Sequence, residues 1–290
     1  MSAMAVLLTL AAAVSWALTQ VMMKLGVACM PRSQFGALRA VWGLAFVVPY
    51  GLATGGFVAQ EPRLVLIALA GGALNGFAGT AMFYYAVTHS PVHLASSLAN
   101  SGPLWGVLTA ILILGEPPTA ATLGAAVLVA VGTYLVVSRG ASRDAQHRPL
   151  ALLAALLAAA LWGFTTAVPA KYCMSQGMSP IHYELLMVAA TGVCWVAVAV
   201  PGVMRRGVRL SVRGVGLAAA SAFTGFFLGW ILWLTALQQA PASVLSPIMG
   251  TTALFAFGMG VLFLRERPTW RAAAGAALVF GGVVLVSTLG

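Results

Sequence analysis

Acidic residues are scarce in this 290-residue sequence, which contains 5 Asp and Glu against 15 Lys and Arg. Charged residues of both signs make up only 7% of the chain, whereas hydrophobic residues make up 61%. So few charges cannot cover the surface of a water-soluble domain of this length. The composition therefore predicts an integral membrane protein.

Sequence patterns typical of enzymes and of metal sites are also missing. The three cysteines, Cys29, Cys173 and Cys194, have no metal-like spacing and predict neither a disulfide framework nor a zinc site. The sequence has no His-Glu-x-x-His, no paired aspartates and no Gly-x-Ser-x-Gly with a partnered histidine, so we expect no enzyme activity and no cofactor. A nucleotide-binding loop of the Gly-x4-Gly-Lys-Ser/Thr type and a recognisable channel filter are absent as well.

Long apolar runs fill most of the chain. A transmembrane helix needs about 20 consecutive apolar residues, and the runs lack the alternation of a β-barrel. Helices are then the remaining spanning structure, and we predict an all-α integral membrane protein with ten transmembrane helices, numbered 1 to 10 in chain order. Their predicted ranges are 4–25, 33–53, 64–88, 92–114, 119–138, 150–171, 180–201, 212–238, 242–264 and 268–288.

The positive charges fall almost entirely on one side of this predicted bundle. All of the 15 Lys and Arg except Arg63 and Lys171 lie at helix ends or in loops of one face. The positive-inside rule assigns the crowded face to the cytoplasm, which places both termini on the outer, periplasmic side of a bacterial inner membrane. The same basic rim suits anionic lipid and requires no nucleic acid. The expected partners are therefore the bilayer and a small-molecule substrate.

The sequence repeats itself at a distance of about 150 residues. A shift of 150 aligns Glu116 with Glu266, and a shift of 146 aligns Trp16 with Trp162. Because five crossings are an odd number, a second five-helix unit must cross the membrane in the opposite sense, as in many alternating-access transporters. The predicted parts are a first five-helix repeat over 1–138, a cytoplasmic linker over 139–148 and a second, inverted repeat over 149–290.

Three stretches carry a resemblance to a known family. They are the tryptophan-to-lysine openings of helices 1 and 6, the Leu-Gly-Glu-Pro-Pro-Thr before helix 5 and the Arg-Glu-Arg-Pro-Thr before helix 10. Together they resemble the EamA-type proteins of the drug/metabolite transporter superfamily over nearly the whole chain. The resemblance implies ten helices and a central cavity lined by helices 1, 3, 4, 6, 8 and 9. It is strongest with bacterial exporters of amino acids and related metabolites.

Polar and aromatic side chains on the predicted helices mark a candidate substrate site. Positions i, i+3, i+4 and i+7 share one helix face, so helices 1 and 6 each present an aromatic-plus-polar stripe. The alternative for the polar groups is hydrogen bonding between helices, and for Tyr and Trp near helix ends it is the interfacial belt. The predicted substrate-binding residues are Trp16, Thr19, Gln20, Asn75, Tyr85, Ser97, Asn100, Trp162, Thr166, Thr224 and Ser246.

Prolines interrupt predicted helices 4 and 9. Pro103 and Pro247 each remove a backbone donor, and such positions bend helices or take part in gating. They are not equivalent under the 150-residue shift, because Pro103 aligns with Ala253. We therefore expect the two halves to bend at different depths.

Few ionisable residues fall within the predicted spans. Glu184 is expected near the outer end of helix 7, either as an interfacial acid or as the carrier of a coupling proton. Arg39 is expected to be structural, with binding of a cytosolic carboxylate as the alternative. Glu116 and Glu266 precede helices 5 and 10, where a carboxylate complements the helix dipole, and we expect both to cap those helices.

These patterns predict a secondary transporter that exports small amphipathic metabolites by alternating access. Amino acids, aromatic or large neutral ones included, suit a largely uncharged cavity of Trp, Gln, Thr and Asn. A multidrug carrier would require a carboxylate at mid-span, and a nucleotide-sugar or phosphometabolite carrier would require Lys or Arg inside the cavity. An intramembrane enzyme or a channel is less consistent with the pattern. Glycines on helices 5 and 10 allow close packing, and we expect a monomer or a weak homodimer.

Overall fold

The computed structural model describes residues 2–89, 98–137, 149–264 and 270–289, and the regular secondary structure in these ranges is helical. We number the helices α1 to α10 to match the predicted segments. The long, uninterrupted helices are α1 (Ala3–Cys29), α2 (Arg32–Thr54), α5 (Ala120–Val137), α6 (Pro149–Ser175), α7 (Pro180–Arg206) and α10 (Trp270–Leu289). The others are α3 (Pro62–Gly72, continuing to His89), α4 (Gly102–Leu114), α8 (Val212–Ala222, continuing to Gln239) and α9 (Ala242–Met249, then Thr251–Leu264).

Six helices in the described ranges are long and apolar enough to cross a membrane, namely α1, α2, α3, α6, α7 and α8. The remaining four are apolar and are described over shorter stretches. The prediction of an all-helical, multi-pass membrane protein is therefore confirmed. Ten crossings and an inverted second half stay predictions.

Helix ends follow from short polar side chains and glycines. Ser179 and Ser211 precede α7 and α8, and their hydroxyls accept hydrogen bonds from the backbone N–H groups of His182 and Gly214. Such caps satisfy donors that the first turn leaves free. At the other end of α2, Gly55 adopts φ 63°, a left-handed conformation that glycine reaches without a steric penalty.

The helices bury aromatic and long apolar side chains at their centre and present apolar residues outside. Trp233 and Tyr183 are fully buried, whereas Leu112 and Val193 are exposed on the outer surface. A helix that is apolar on all sides is typical of a bundle in lipid. The outer surface is therefore suited to a hydrocarbon environment.

Two π-helical turns interrupt α3 and α8 at matching places. They span Ala73–Gly79 and Phe223–Gly229, so the second lies 150 residues after the first. This is the same shift that aligns the sequence halves. A π-helical turn departs from the i→i+4 hydrogen-bond pattern and occurs often at functional sites. The two halves therefore share a local backbone feature as well as sequence.

The chain also breaks at matching places in α4 and α9, which corrects our expectation of bends at different depths. The turn at Asn100 precedes the Gly102–Leu114 segment, and the turn at Gly250 separates the two segments of α9. Pro103 lies in the first turn of its segment, where a missing N–H is not needed. Pro247 lies inside the first segment of α9. The two breaks thus lie at matching positions of the repeat, although the prolines do not.

Packing between α3 and α7 depends on a glycine surface. The Thr191 hydroxyl donates to the Gly72 carbonyl at 2.9 Å, and the Trp195 indole donates to the Gly76 carbonyl at 2.9 Å. A Cβ atom added at Gly72 would collide with the backbone carbonyl of Met187. The two backbones can approach this closely only because residue 72 has no side chain.

We expect Gly72→Ala to destabilise the protein by about 1–3 kcal/mol, because overpacking against a backbone atom forces the helices apart. The measurement is the melting temperature of purified protein in detergent. Gly216→Ala is the matched control, since a Cβ atom there meets nothing within 4 Å. An unchanged melting temperature for Gly72→Ala would contradict the proposed close contact.

Candidate functional site

A cavity of about 680 Å³ lies among α1, α3, α4, α6, α8 and α9, the six helices that the resemblance implies, with α2 contributing as well. Its volume is typical of sites for small molecules. Many of the lining residues come in pairs 150 residues apart. Around the turn before α4 and the turn within α9 these are Ala99, Asn100, Gly102 and Pro103, paired with Met249, Gly250, Thr252 and Ala253.

The two tryptophans that open the repeats make equivalent hydrogen bonds across the cavity wall. The indole N–H of Trp16 donates to the Gly225 carbonyl at 3.2 Å, and that of Trp162 donates to the Asn75 carbonyl at 3.1 Å. Both acceptors lie in the π-helical turns, 150 residues apart. The rings therefore line the cavity while their N–H groups tie each half to the other.

Several predicted polar residues are engaged in hydrogen bonds between helices. The hydroxyls of Thr19 and Thr224 are 2.7 Å apart, and the Asn75 amide donates to the Thr165 hydroxyl at 2.7 Å. These contacts agree with the alternative of interhelical packing. Gln20 and Asn100 differ, because their side chains line the cavity and make no hydrogen bond to the part of the chain that the structure describes.

The structure places most of the predicted substrate-binding residues on the cavity wall. Tyr85 is a correction, because its ring stacks on His89 with centroids 4.2 Å apart and faces a separate apolar pocket with Leu153. Tyr84 lines the cavity instead, since neighbouring residues on a helix point about 100° apart. The predicted residues on the wall are Trp16, Thr19, Gln20, Asn75, Asn100, Pro103, Trp162, Thr166 and Ser246.

Three other predicted residues have different positions. Thr224 contacts the wall residue Thr19 from outside the cavity, and Pro247 is buried within α9 without lining the cavity. The structure thus does not place Thr224 on the wall, because its hydroxyl faces α1. The predicted role of Pro247 in helix bending or gating stays a prediction. Ser97 lies outside the described residues.

Two tryptophans of α8 form an aromatic wall of the cavity, although the predicted substrate-binding residues do not include them. Trp230 and Trp233 are 4% and 0% exposed and line the cavity. The Trp16 ring lies 5.5 Å from Trp230 and 6.2 Å from Trp233, and the Trp233 indole donates to the Thr166 carbonyl at 3.1 Å. Their i, i+3 spacing was the available signal that both share one face of α8.

Two arginines line the cavity, which was expected to be largely uncharged. Arg39 is 7% exposed and lines the wall, with its guanidinium carbon 3.9 Å from the centre of the Phe226 ring. Arg32, the first residue of α2, also lines the cavity and is exposed. The lining includes no Asp or Glu among the described residues.

Glu184 is fully buried in α7, close to the start of this helix at Pro180, and its two predicted roles stay predictions. Both of its carboxylate oxygens lack a hydrogen-bond partner in the described part of the chain. A buried carboxylate without hydrogen bonds is unfavourable as an anion. Its position leaves open the alternative of a proton-carrying residue.

Glu116 caps a different helix from the one expected. Its two carboxylate oxygens accept hydrogen bonds from the N–H groups of Ala242 and Ser243, at 2.8 and 2.7 Å. These groups begin α9, so Glu116 joins the loop before α5 to the second half instead of capping α5. The expected cap by Glu266 lies outside the described residues.

Lys171 makes a similar contact at the end of another helix. Its ammonium group donates hydrogen bonds to the carbonyls of Leu237 and Ala240 at the end of α8, at 2.6 and 2.9 Å.

These features define a multi-pass helical membrane protein with a cavity between two related halves. The chain belongs to the EamA-like transporter family, whose sequence profile matches residues 3–138 and 149–288 separately. The family and the relatives below are transporters rather than enzymes.

Two relatives and one solved structure illustrate the similarity. An uncharacterised transporter of Archaeoglobus fulgidus is 24% identical over 97% of both chains. The pseudopaline exporter CntI of Pseudomonas aeruginosa is 24% identical over 97% of this chain and 95% of the exporter. A protein crystal structure with 19% identity superposes with a TM-score of 0.81 over 99% of each chain, which shows that the fold is shared.

Proposed function

We propose that this transporter exports small amphipathic metabolites, in particular amino acids, by alternating access through the central cavity. The observation that carries the proposal is a cavity between matched positions of the two halves, with aromatic rings on its wall. Gln20 and Asn100 supply polar groups without a partner among the described residues. Aromatic or large neutral amino acids combine the apolar and polar groups that such a wall binds.

The mechanism requires two five-helix units that cross the membrane in opposite senses, over 1–138 and 149–290. The reciprocal indole contacts support this arrangement, because α1 contacts α8 in the same way that α6 contacts α3. The separate match of each half to the family profile supports it too. We further propose a bacterial inner-membrane location with both termini outside, residues 139–148 as a cytoplasmic linker, and a monomer or weak homodimer.

A carrier of phosphorylated metabolites or nucleotide sugars is the second candidate. It is favoured by one specific observation, the presence of Arg39 and Arg32 on the cavity wall. A multidrug carrier is less well supported, because recognition of cationic drugs calls for an acid in the cavity. No Asp or Glu belongs to the described lining.

Counterflow into liposomes that contain the purified protein tests the proposal. We expect unlabelled substrate on one side to accelerate uptake of a labelled amino acid on the other, for a subset of the twenty amino acids. The double variant Gln20→Ala/Asn100→Ala is expected to lose about tenfold in rate, equivalent to about 1.4 kcal/mol. Gln176→Ala, at an exposed position, is the control. Absence of trans-acceleration for every amino acid would contradict the proposal.

Glu184 is the residue that we propose carries a coupling proton. Counterflow measured with a pH gradient, and again after its collapse, shows whether transport depends on protons. If it does, Glu184→Gln is expected to remove the effect of the gradient while leaving counterflow, because the amide cannot release a proton. A gradient effect that persists in Glu184→Gln would exclude this role.

A further inference from the structure

Arg39 places a positive charge in the wall of the cavity, two turns into α2. Its Nε atom has no hydrogen-bond partner among the described residues, and the side chain is 7% exposed. The face of Phe226, 3.9 Å away, offers partial compensation through a cation–π contact. A guanidinium in an apolar interior remains costly without an anion or several acceptors. The cavity therefore contains a donor group that lacks a complementary acceptor.

The second half of the chain makes room for this guanidinium. A Cβ atom at Gly225 would lie 2.6 Å from the Arg39 Nη2 atom, so only glycine is compatible with the present position of the side chain. The matching residue of the first half is Asn75, which has a side chain where Gly225 has none. The Asn75 amide donates a hydrogen bond to the Thr165 hydroxyl. The two halves thus differ at the position where Arg39 meets the cavity.

The nearby acid does not neutralise Arg39 through a direct bond. Glu184 is fully buried on α7, the helix that packs against α2. Its carboxylate oxygens nevertheless have no hydrogen bond to Arg39 or to any other described residue. A ligand carboxylate could therefore approach the guanidinium from the cavity without displacing a protein group.

Arg32 extends the positive charge toward the end of the cavity. It precedes Arg39 by seven residues, which places the two side chains on the same face of α2, about 10 Å apart along the axis. Arg32 is exposed and Arg39 is buried, and both line the cavity. An anion that enters past Arg32 meets a second, less hydrated cation farther inside.

We propose that Arg39 binds the carboxylate of the transported metabolite, an inference that rests on the proposed export of small amphipathic molecules. A guanidinium pairs with a carboxylate through two parallel hydrogen bonds, a geometry that an ammonium cannot reproduce. The apolar part of the metabolite then packs against the rings of Trp16 and Trp230. Because the described wall carries no acid, the carboxylate, and not an amino group, determines recognition.

A series of phenyl compounds tests this recognition on the wild-type protein. Binding is followed by the melting temperature in detergent, which does not require transport. L-phenylalanine, N-acetyl-L-phenylalanine and 3-phenylpropanoate keep the carboxylate and are expected to stabilise the protein. L-phenylalaninamide lacks it, and we expect an affinity at least about thirtyfold lower, the range found when one partner of a buried charged pair is lost.

Variants of Arg39 identify the residue responsible. Arg39→Gln is expected to lose the stabilisation by 3-phenylpropanoate, and Arg39→Lys to keep part of it, because lysine retains the charge without the fork of donors. Arg205→Gln is the control, since Arg205 is exposed at the end of α7. If Arg39→Gln does not fold, the comparison of the acid with the amide on wild-type protein, together with Arg39→Lys, still decides the matter.

Three results would overturn the assignment. They are equal stabilisation by the amide and the acids, no stabilisation by any carboxylate, and full binding of 3-phenylpropanoate by Arg39→Gln. Stronger binding of phenyl phosphate than of the carboxylates would also overturn the assignment, because it would identify a phosphate as the group that Arg39 binds. Carboxylate binding through Arg39 without counterflow of any amino acid would preserve this inference while contradicting the proposed transport of amino acids.

Discussion

Trp16→Ala and Trp162→Ala are each expected to reduce counterflow by about a hundredfold or more. Replacement of a packed tryptophan by alanine costs about 3–5 kcal/mol. It also removes the donor to the Gly225 or Asn75 carbonyl in a π-helical turn. The cavity then loses one aromatic wall and the contact that couples the two halves. Counterflow and the melting temperature in detergent, measured on the same preparations, separate lost transport from lost stability.

Phenylalanine at the same positions separates the ring from its N–H group. Trp16→Phe and Trp162→Phe keep an aromatic wall but leave a carbonyl without its donor, which costs about 1–3 kcal/mol. We expect the two variants to lose similar amounts of transport, because the two contacts are equivalent. Trp270→Ala is the control, since Trp270 is 76% exposed. A large effect at only one of the two positions would contradict the functional equivalence of the halves.

Glu116→Ala is expected to lower the melting temperature and to reduce counterflow by about tenfold or more. The substitution removes the charged group that accepts two hydrogen bonds from backbone N–H groups in the first turn of α9. A hydrogen bond to a charged group contributes about 1.5–3 kcal/mol. This turn leads to Ser246 and Met249 on the cavity wall. Fraying of the helix start would therefore displace residues that contact the substrate.

Two further variants test the capping mechanism of Glu116. Glu116→Gln keeps one acceptor oxygen without the charge and is expected to lose less than Glu116→Ala. Glu61→Ala is the matched control, because Glu61 precedes α3 without a hydrogen bond from its side chain to the helix start. Equal stability and transport in Glu116→Ala and Glu61→Ala would show that the cap has no part in either.

The helical segments and the internal repeat could be predicted because local hydropathy and sequence repetition are both properties of the linear sequence. Hydropathy over about 20 residues depends on neighbouring residues only, and the predicted ranges agree with the described helices. The 150-residue shift places Ala73–Gly79 on Phe223–Gly229 and Asn100 on Gly250. Matching sequence thus led to matching backbone detail, even though no sequence signal announced a π-helical turn.

The candidate site could be predicted only in part. The polar stripes on helices 1 and 6 led to Trp16, Gln20, Trp162 and Thr166 on the cavity wall. The same reasoning selected Tyr85 where Tyr84 faces the cavity. The sequence analysis expected Glu116 to cap α5, the next helix in the chain. The carboxylate oxygens of Glu116 instead accept hydrogen bonds at the start of α9, more than 120 residues away. Such partners belong to distant parts of the chain and leave no local pattern.

The sequence by itself determined a membrane protein of apolar helices in two related halves, because composition, hydropathy and repetition are properties of the chain. Only the tertiary structure decided which side of each helix faces the cavity. In a membrane bundle the lipid-facing and buried sides of a helix are both apolar, so hydropathy alone does not define its rotation. The burial of Arg39 and Glu184 depends on that rotation and on the neighbouring helices that cover them.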